Sequence, residues 1–592
     1  MKSSLVTVLL LGACSFLPNY QSAPTSLRWV TLRKFLGGEL LKAGRLAQSL
    51  EQDVASLSTG NGIPYCSICK LSTSVVRGYL HEGLPESAIT AILRQGCGAL
   101  GIETPRVCAG LVQLFKDEFF YVLGHTTMSP AEICGIVFPD QCPSGGVLNW
   151  TVPLPARPKP PVTPVPLPKE GSPTLRVLHI SDTHVDPAYS EGSEAVCNEP
   201  LCCHTADVPA AKQQRRIAGH WGAFRTCDIP PRTFEHMLKT LRDTQKIDYV
   251  IWTGDMVAHD IWNTSRLGNL GIMEYTVKTI EKYLPGIPVY PALGNHEGQP
   301  VDSFPIPAVK GNRSVEWLYT ALASQWSQWL PPSAALTMKR GAFYAITPFP
   351  GLKIISLNMN YCNTLNWWLL LDPRDPAEQL AFLVNELQES EIKGQKAHII
   401  GHIPPGQGDC LTVWSDNYNR IIERFESTVR GQFFGHTHTD ELEVFYESVG
   451  QQHSGKRPYA VAYVAPSTTT FNSGNPAFRL YVIDGNYTNS TWAVLDHETY
   501  VMNLTEANAD PTREPRWHLE YAAKAEYGMH SLEASEWDNL LDRMEVDDEL
   551  FQKFYRFYTK EDPTAKPCTA TCRKIFLCKQ RTSKSADFNS CR

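Results

Sequence analysis

The chain has 592 residues, of which 43% are hydrophobic and 19% charged, and its net charge is -7. At roughly 150 residues per domain, that length calls for three or four units rather than one core. The acidic balance leaves no polybasic surface for nucleic acid and gives no electrostatic pull toward anionic lipid.

The first element in chain order is a signal peptide, read over residues 1–23. Lys2 supplies the positive start, residues 5–11 an apolar run, and Gly12-Ala13 or Ser22-Ala23 the small residues at a cleavage point. The run is too short to span a bilayer, and no later run approaches the ~20 apolar residues of a spanning helix. Leu11-Gly12-Ala13-Cys14 also fits a bacterial lipoprotein signal, but the proline-rich segment and the cysteines further on favour a eukaryotic exported chain. Of 17 cysteines, only Cys14 falls in the signal. The rest form an even set, which in an exported chain implies a disulfide framework. Sequons at Asn149, Asn263, Asn312, Asn486, Asn489 and Asn503 fit the same route.

Residues 62–146 form a first unit with Cys66, Cys69, Cys97, Cys108, Cys134 and Cys142. Leu71, Val75 and Val76, then Ile89, Ile92 and Leu93, then Leu111, Leu114 and Phe115 recur at helical spacing, within four helical stretches. Cysteines staple a core this small. The unit is read either as a lipid-contacting module or as a stapled helical spacer. Residues 147–175 are dense in proline and favour an extended, semi-rigid linker.

From residue 176 onward, short apolar strands alternate with helical patterns, which predicts an α/β layered sheet over 176–496. Five strands run into polar loops: Asp182-Thr183-His184, Gly254-Asp255, Gly294-Asn295-His296-Glu297, Gly401-His402 and Gly435-His436-Thr437-His438. Any one loop is weak evidence, since a histidine after a strand is more often structural. The ordered set of five is strong evidence, because loops at strand ends are where rigid scaffolds hold site residues. A phosphodiester is an anion that repels nucleophiles. Two close metals offset that charge and acidify a bound water. Asp, His and Asn donors suit a borderline ion such as Zn²⁺. One carboxylate must bridge the pair, and Asp255 sits midway in the set. Residues 497–592 read as helical and carry Cys568, Cys572, Cys578 and Cys591.

These loops, with the stretches GDMVAHDIW, VYPALGNHE, GAFYAITPFPG, IISLNMNYC, HIIGHIPPG, FFGHTHTDE, DGNY and LDHETY, resemble the acid sphingomyelinase family of the calcineurin-like metallophosphoesterases. The likeness covers nearly the whole chain. It implies a layered β-sandwich flanked by helices, preceded by an all-α saposin domain and followed by a helical C-terminal domain. It implies two zinc ions, one held by Asp182, His184, Asp255 and His438, the other by Asp255, Asn295, His402 and His436. His259 and His296 would contact the phosphate and protonate the leaving alkoxide. The implied reaction is hydrolysis of sphingomyelin to ceramide and phosphocholine, with metal-bound hydroxide as nucleophile. It would take place at a bilayer surface, in a lysosomal or secreted chain acting as a monomer. The implied disulfides are Cys66–Cys142, Cys69–Cys134, Cys97–Cys108, Cys197–Cys202, Cys203–Cys227, Cys362–Cys410, Cys568–Cys572 and Cys578–Cys591. The likeness departs at Leu365 and Phe471, where mammalian members have Glu and Tyr. Phe471 still offers a ring to a quaternary ammonium, but Leu365 offers no charge. Tyr361, Trp367 and Trp368 are further headgroup candidates, with core packing as their alternative. Competing readings are a phosphodiesterase for another headgroup or a nucleotide, and a non-catalytic lipid-transfer protein.

Overall fold

The computed structural model describes residues 65–591 apart from 82, 84, 100, 139–141, 143–144, 206–215, 449–455 and 589; the signal peptide and the first residues of the 62–146 unit lie outside them. Four helices come first: α1 (Tyr65–His81), α2 (Glu86–Ala99), α3 (Pro105–His125) and α4 (Pro130–Val137). Local chemistry sets two of their starts. Thr104 caps α3 by accepting from the Val107 N–H, with Pro105 at the first helical position. Ser129 and Glu132 form a capping box on α4. Cys69–Cys134 ties α1 to α4, Cys97–Cys108 ties α2 to α3, and Cys66–Cys142 closes the module.

The outer face of α3 packs on the rest of the protein. Phe115 and Phe119 meet Trp367 with ring centroids 6.1 and 5.7 Å apart, and Tyr121 lies 5.6 Å from Trp368. Trp367 and Trp368 therefore belong to a packed seam, in line with core packing and not with a headgroup contact. Each such aromatic contributes about 1.5–3 kcal/mol through burial. Glu118 is caught in the same seam at 5% exposure, with Oε2 unpartnered. Burial raises its carboxyl to about 8 against hydrogen bonds with Ser303 and Trp368.

The linker is tacked down rather than free. The Val152 N–H donates to Asn417 Oδ1 at 2.7 Å, Asn417 Nδ2 donates to Trp150 O at 3.1 Å, and Arg424 donates to Arg157 O at 2.9 Å. Asn417 and Arg424 lie on one helix, Thr412–Arg424. A proline-rich stretch has few internal hydrogen bonds to offer, so side chains of its neighbour hold it in place.

Two six-stranded mixed sheets follow. The first runs β12–β11–β10–β1–β2–β3 and the second β4–β5–β6–β7–β9–β8, with β1 Thr174–Ile180, β2 Tyr249–Trp252, β3 Val289–Pro291, β4 Tyr344–Phe349, β5 Leu352–Ser356, β6 Lys396–Ile400, β7 Val429–Phe434, β8 Glu441–Tyr446, β9 Pro458–Val464, β10 Ala477–Asp484, β11 Val494–Met502 and β12 Trp517–Ala522. Their inner faces share one core, in which Phe433 of β7 meets Tyr481 of β10 at 4.9 Å between ring centroids. Strands β1–β2–β3 are parallel, as are β5–β6–β7. Parallel strands point their C-terminal ends the same way, so the loops after β1, β2, β3, β6 and β7 gather at one rim.

The C-terminal region is rich in helix, but its start is not helical. The boundary read at 496/497 falls inside β11, and β12 extends the first sheet. The strands alternate exposed and buried residues too weakly to mark them in sequence. Helices Ala534–Val546, Asp548–Tyr558 and Ala570–Gln580 follow, with a short last helix at Ser585–Phe588. No described helix is long and apolar enough to cross a membrane.

Candidate metal centre

The five ligand loops meet at that rim, and their backbone is unusual. Asp182, His184, Asp255, His436 and His438 all have positive φ, between 37° and 74°. Each such conformation costs about 1–3 kcal/mol and persists only where its surroundings over-determine it. They do so here. Asp182 N–H donates to Gly254 O and His184 N–H to Asp255 O, both at 3.1 Å, and His436 N–H donates to the Asp182 carboxylate at 3.0 Å. The loops approach so closely that a side chain at Gly294 would overlap Asp255, and one at Gly435 would overlap Ser181. This is the physical reason for Gly before Asn295 and before His436. Glu297 stitches two loops together, accepting from the N–H groups of Gly294 at 2.7 Å and Met256 at 2.6 Å. Its burial and the nearby Asp255 raise its carboxyl to about 7.

Three ligand histidines are oriented by main-chain carbonyls. His184 Nδ1 donates to Val257 O at 2.6 Å, His402 Nδ1 to Thr253 O at 2.7 Å and His438 Nδ1 to Phe471 O at 2.9 Å. Each therefore presents a bare Nε2. His436 is reversed: its Nε2 donates to Asp409 Oδ2 at 2.7 Å, which leaves Nδ1 bare. The bare nitrogens face one another. His184 Nε2 and His438 Nε2 are 3.2 Å apart, as are His402 Nε2 and His436 Nδ1. Asn295 Oδ1 joins the second pair at 2.9 and 3.1 Å. With both rings neutral, each convergence sets two lone pairs face to face, an arrangement that a shared cation relieves. Asp255 Oδ2 lies between them, 3.4 Å from His184 Nε2 and 3.0 Å from His402 Nε2. Asp182 Oδ1 closes the first group, 3.6 Å from His438 Nε2. Burial opposes positive charge at His184 and His402, while Asp255 and its acidic neighbours favour it. The carboxylates thus draw positive charge into a buried site, and this donor set fits metal ions.

His259 and His296 stand beside the first group. With His184 they form a third cluster whose ligand atoms lie within 4.8 Å of one another. Asp228 holds His259 from behind, accepting from its backbone N–H at 2.7 Å and its Nδ1 at 2.9 Å. Thr469 Oγ1 also donates to Asp228, at 2.8 Å. Burial raises the Asp228 carboxyl, and the donors around it hold it against that. Phe471 stacks on His259 at 3.8 Å. The ring read as a headgroup contact is 4% exposed and braces a histidine. Tyr361 is fully buried with its hydroxyl 3.2 Å from that of Tyr319, so it is a core residue and has no face open to a headgroup. Leu365 is half-buried and brings no charge.

The sequence reading missed Asp228, Asp409 and Thr469. None lies in a loop of the ordered set, and nothing in their local pattern points to the site. The eight disulfides join the sixteen cysteines beyond Cys14, a framework typical of chains that fold in an oxidising compartment. Asn149, Asn263, Asn312, Asn486 and Asn489 are exposed, and Asn503 caps a short helix.

A two-sheet α/β scaffold with His and Asp clusters at one rim defines a metal-dependent phosphoesterase. The family described as calcineurin-like phosphoesterase matches residues 175–440, and that described as acid sphingomyelin phosphodiesterase C-terminal region matches residues 457–591. Sphingomyelin phosphodiesterase of Bos taurus is 45% identical over 528 residues, 89% of this chain and 83% of the relative. That of Homo sapiens is 44% identical over 531 residues, 89% of this chain and 82% of the relative. A crystal structure of a dimetal phosphatase from Danio rerio has 13% identity and a TM-score of 0.34, over 55% of this chain and 95% of that one. The chain belongs to the acid sphingomyelinase family and is a phosphoric diester hydrolase.

Proposed function

We propose that the chain hydrolyses sphingomyelin to ceramide and phosphocholine at a centre of two zinc ions. The observation that carries this reading is the pair of bare-nitrogen convergences joined by Asp255 Oδ2. Asp182, His184, Asp255 and His438 would hold one ion, and Asp255, Asn295, His402 and His436 the other. Bound zinc supplies two things: neutralisation of the phosphodiester, and a water acidified enough to be the nucleophile at physiological pH.

The remaining work falls to this chain's own side chains. His259 and His296 face the same side of the first group, where phosphate oxygens would lie. A ceramide alkoxide is a poor leaving group, so a positioned acid speeds its departure by about 10²–10⁴-fold. His259 is the better placed for that role: as an imidazolium it would keep Nδ1–H on Asp228 and give the Nε2 proton to the leaving oxygen, with the Asp228 carboxylate supporting a charge that burial and His184 oppose. Asp255 Oδ1 accepts from the His296 N–H at 2.9 Å, which ties that histidine to the bridging carboxylate.

The helical module is read as saposin-type, meeting lipid while α3 stays on the catalytic domain. Five cysteines on the four helices and Cys142 just beyond them support this, and the disulfides and sequons support lysosomal or secreted placement. The deciding experiment is headgroup-resolved product analysis on mixed liposomes, with and without chelator. Release of phosphocholine from sphingomyelin, lost on chelation and restored by zinc, is the expected result. Faster turnover of phosphoethanolamine lipids or nucleotide diesters would overturn the substrate, and turnover that survives chelation would overturn the centre.

A further inference from the structure

Lys560 lies more than 120 residues beyond the last ligand loop, between two C-terminal helices. It is completely buried. An ammonium removed from water is costly unless all its protons find acceptors. Nζ has three protons and three acceptors: Ser467 Oγ at 2.6 Å, Ser467 O at 3.0 Å and Thr469 O at 3.0 Å. Burial lowers it to about 7, opposed by Asp182 and other nearby carboxylates, so the ammonium is charged at acid pH. The two backbones are pressed together as well. Asn475 N–H and Nδ2 donate to Lys560 O at 3.1 and 2.9 Å, and a side chain at Gly474 would overlap Thr559 O.

The gripped segment, residues 467–471, touches the metal centre from several directions. Its Thr468 and Thr469 N–H groups donate to Ser181 O and Asp182 O at 3.1 and 2.9 Å. Ser467 Oγ donates to His438 O at 3.2 Å. Phe471 O accepts the Nδ1–H that sets the tautomer of His438. Thr469 Oγ1 holds Asp228, which holds His259.

We propose that Lys560 is a positioning residue for the reaction: its ammonium fixes the carbonyls of Ser467 and Thr469, and through that segment it sets the direction of His438 and of His259. A chain-terminal element thus acts on a centre whose ligands all precede residue 439. No neutral side chain of similar length supplies three donors from one atom, so the role needs the ammonium and not merely a filled volume. The inference rests on reading the site as a metal-dependent phosphodiesterase.

The test compares the full chain with Lys560→Met and Ser467→Ala. Zinc affinity is measured by competition with a chromogenic chelator, cobalt(II) spectra report the coordination of the histidines, and kcat and KM are measured on sphingomyelin micelles. Lys560→Met is expected to weaken one zinc site by ~10–100-fold. It should also alter the cobalt spectrum and lower kcat by ~10-fold or more while KM stays within about twofold. Ser467→Ala, which removes one of three acceptors, should shift the same quantities in the same direction by several-fold. A purely structural lysine would lower the melting temperature and leave the zinc affinity, cobalt spectrum and kcat of the folded protein at parent values, and that result overturns the proposal. If Lys560→Met does not fold, Ser467→Ala decides, and zinc affinity and kcat within twofold of the parent overturn it. A parent chain that neither binds zinc nor hydrolyses sphingomyelin defeats the functional reading and this inference together. A competent parent with unchanged variants defeats this inference alone.

Discussion

The two halves of the metal centre are built differently. In the first, His184 and His438 are aimed by main-chain carbonyls, those of Val257 and Phe471. In the second, His402 is aimed the same way, but His436 is aimed by the carboxylate of Asp409 and presents the opposite nitrogen. The His436 side chain is also the more open, at 22% exposure against 9% for His438 and none for His184 and His402. A carbonyl anchor cannot be deleted by substitution, whereas a carboxylate anchor can. The first half therefore has no side-chain anchor to remove directly behind its histidines, only the 467–471 segment that Lys560 grips, whereas the second has one directly removable support.

The largest expected effect comes from the residue that belongs to both halves. Asp255→Asn should lower kcat by about 10³-fold or more and reduce zinc from two ions per chain to one or none, measured by elemental analysis of the dialysed protein. Loss of one half alone, with the other at full affinity, would break the description of Asp255 as the joint.

Next in size is Asp228→Asn, which leaves both halves loaded and acts on His259. Its expected loss is ~10²-fold in kcat, with KM and zinc content at parent values. Substrates with a good leaving group, such as a p-nitrophenyl diester, should be affected much less. Equal loss on both substrates would remove His259 from leaving-group protonation. Asp409→Asn tests the asymmetry directly. It should weaken one zinc site by ~10–100-fold and leave the other unchanged, seen as two separated steps in a chelator titration. A single unsplit step would show that the two halves do not differ in support.

The smallest effect concerns the seam between α3 and the catalytic domain, away from both halves. The Glu118 carboxyl is raised to about 8 in the folded chain from an ordinary value of 4.5. Between those values the unfolded chain has released the proton and the folded chain keeps it. Stability therefore falls as pH rises from about 4.5 to 8, by at most a few kcal/mol. Glu118→Gln should leave the melting temperature at pH 4.5 unchanged and raise it at pH 7.5. A rise of equal size at both pH values would mean that packing, not ionisation, sets the cost.

Much of the site was legible because its information is local. A strand pattern followed by a polar loop can be read within a dozen residues, and all seven proposed ligand positions have that form. The two-sheet α/β layer was legible for the same reason, as were the four N-terminal helices, whose spacing and cysteines lie within one short stretch. The C-terminal region was less so. Its strands β11 and β12 pair with β10 and with each other at the edge of a sheet, so their place is decided by a partner and not by their own pattern. Tyr361 and the two tryptophans show the same limit from the other side. An aromatic residue reads alike in sequence whether it lines a surface or fills a seam, and only α3 and Tyr319 packing against them decided it.

What the sequence by itself determined is which donor atoms are offered at the strand ends, since donor chemistry belongs to the residue and strand-end placement follows from short-range alternation. What only the tertiary structure decided is how those atoms are aimed. Asp228 reaches His259 from 31 residues away, Asp409 reaches His436 from 27, and Lys560 reaches Ser467 from 93. No periodicity of helix or strand spans such separations. Contacts of that kind exist only after two sheets and a C-terminal helical layer have closed around one core.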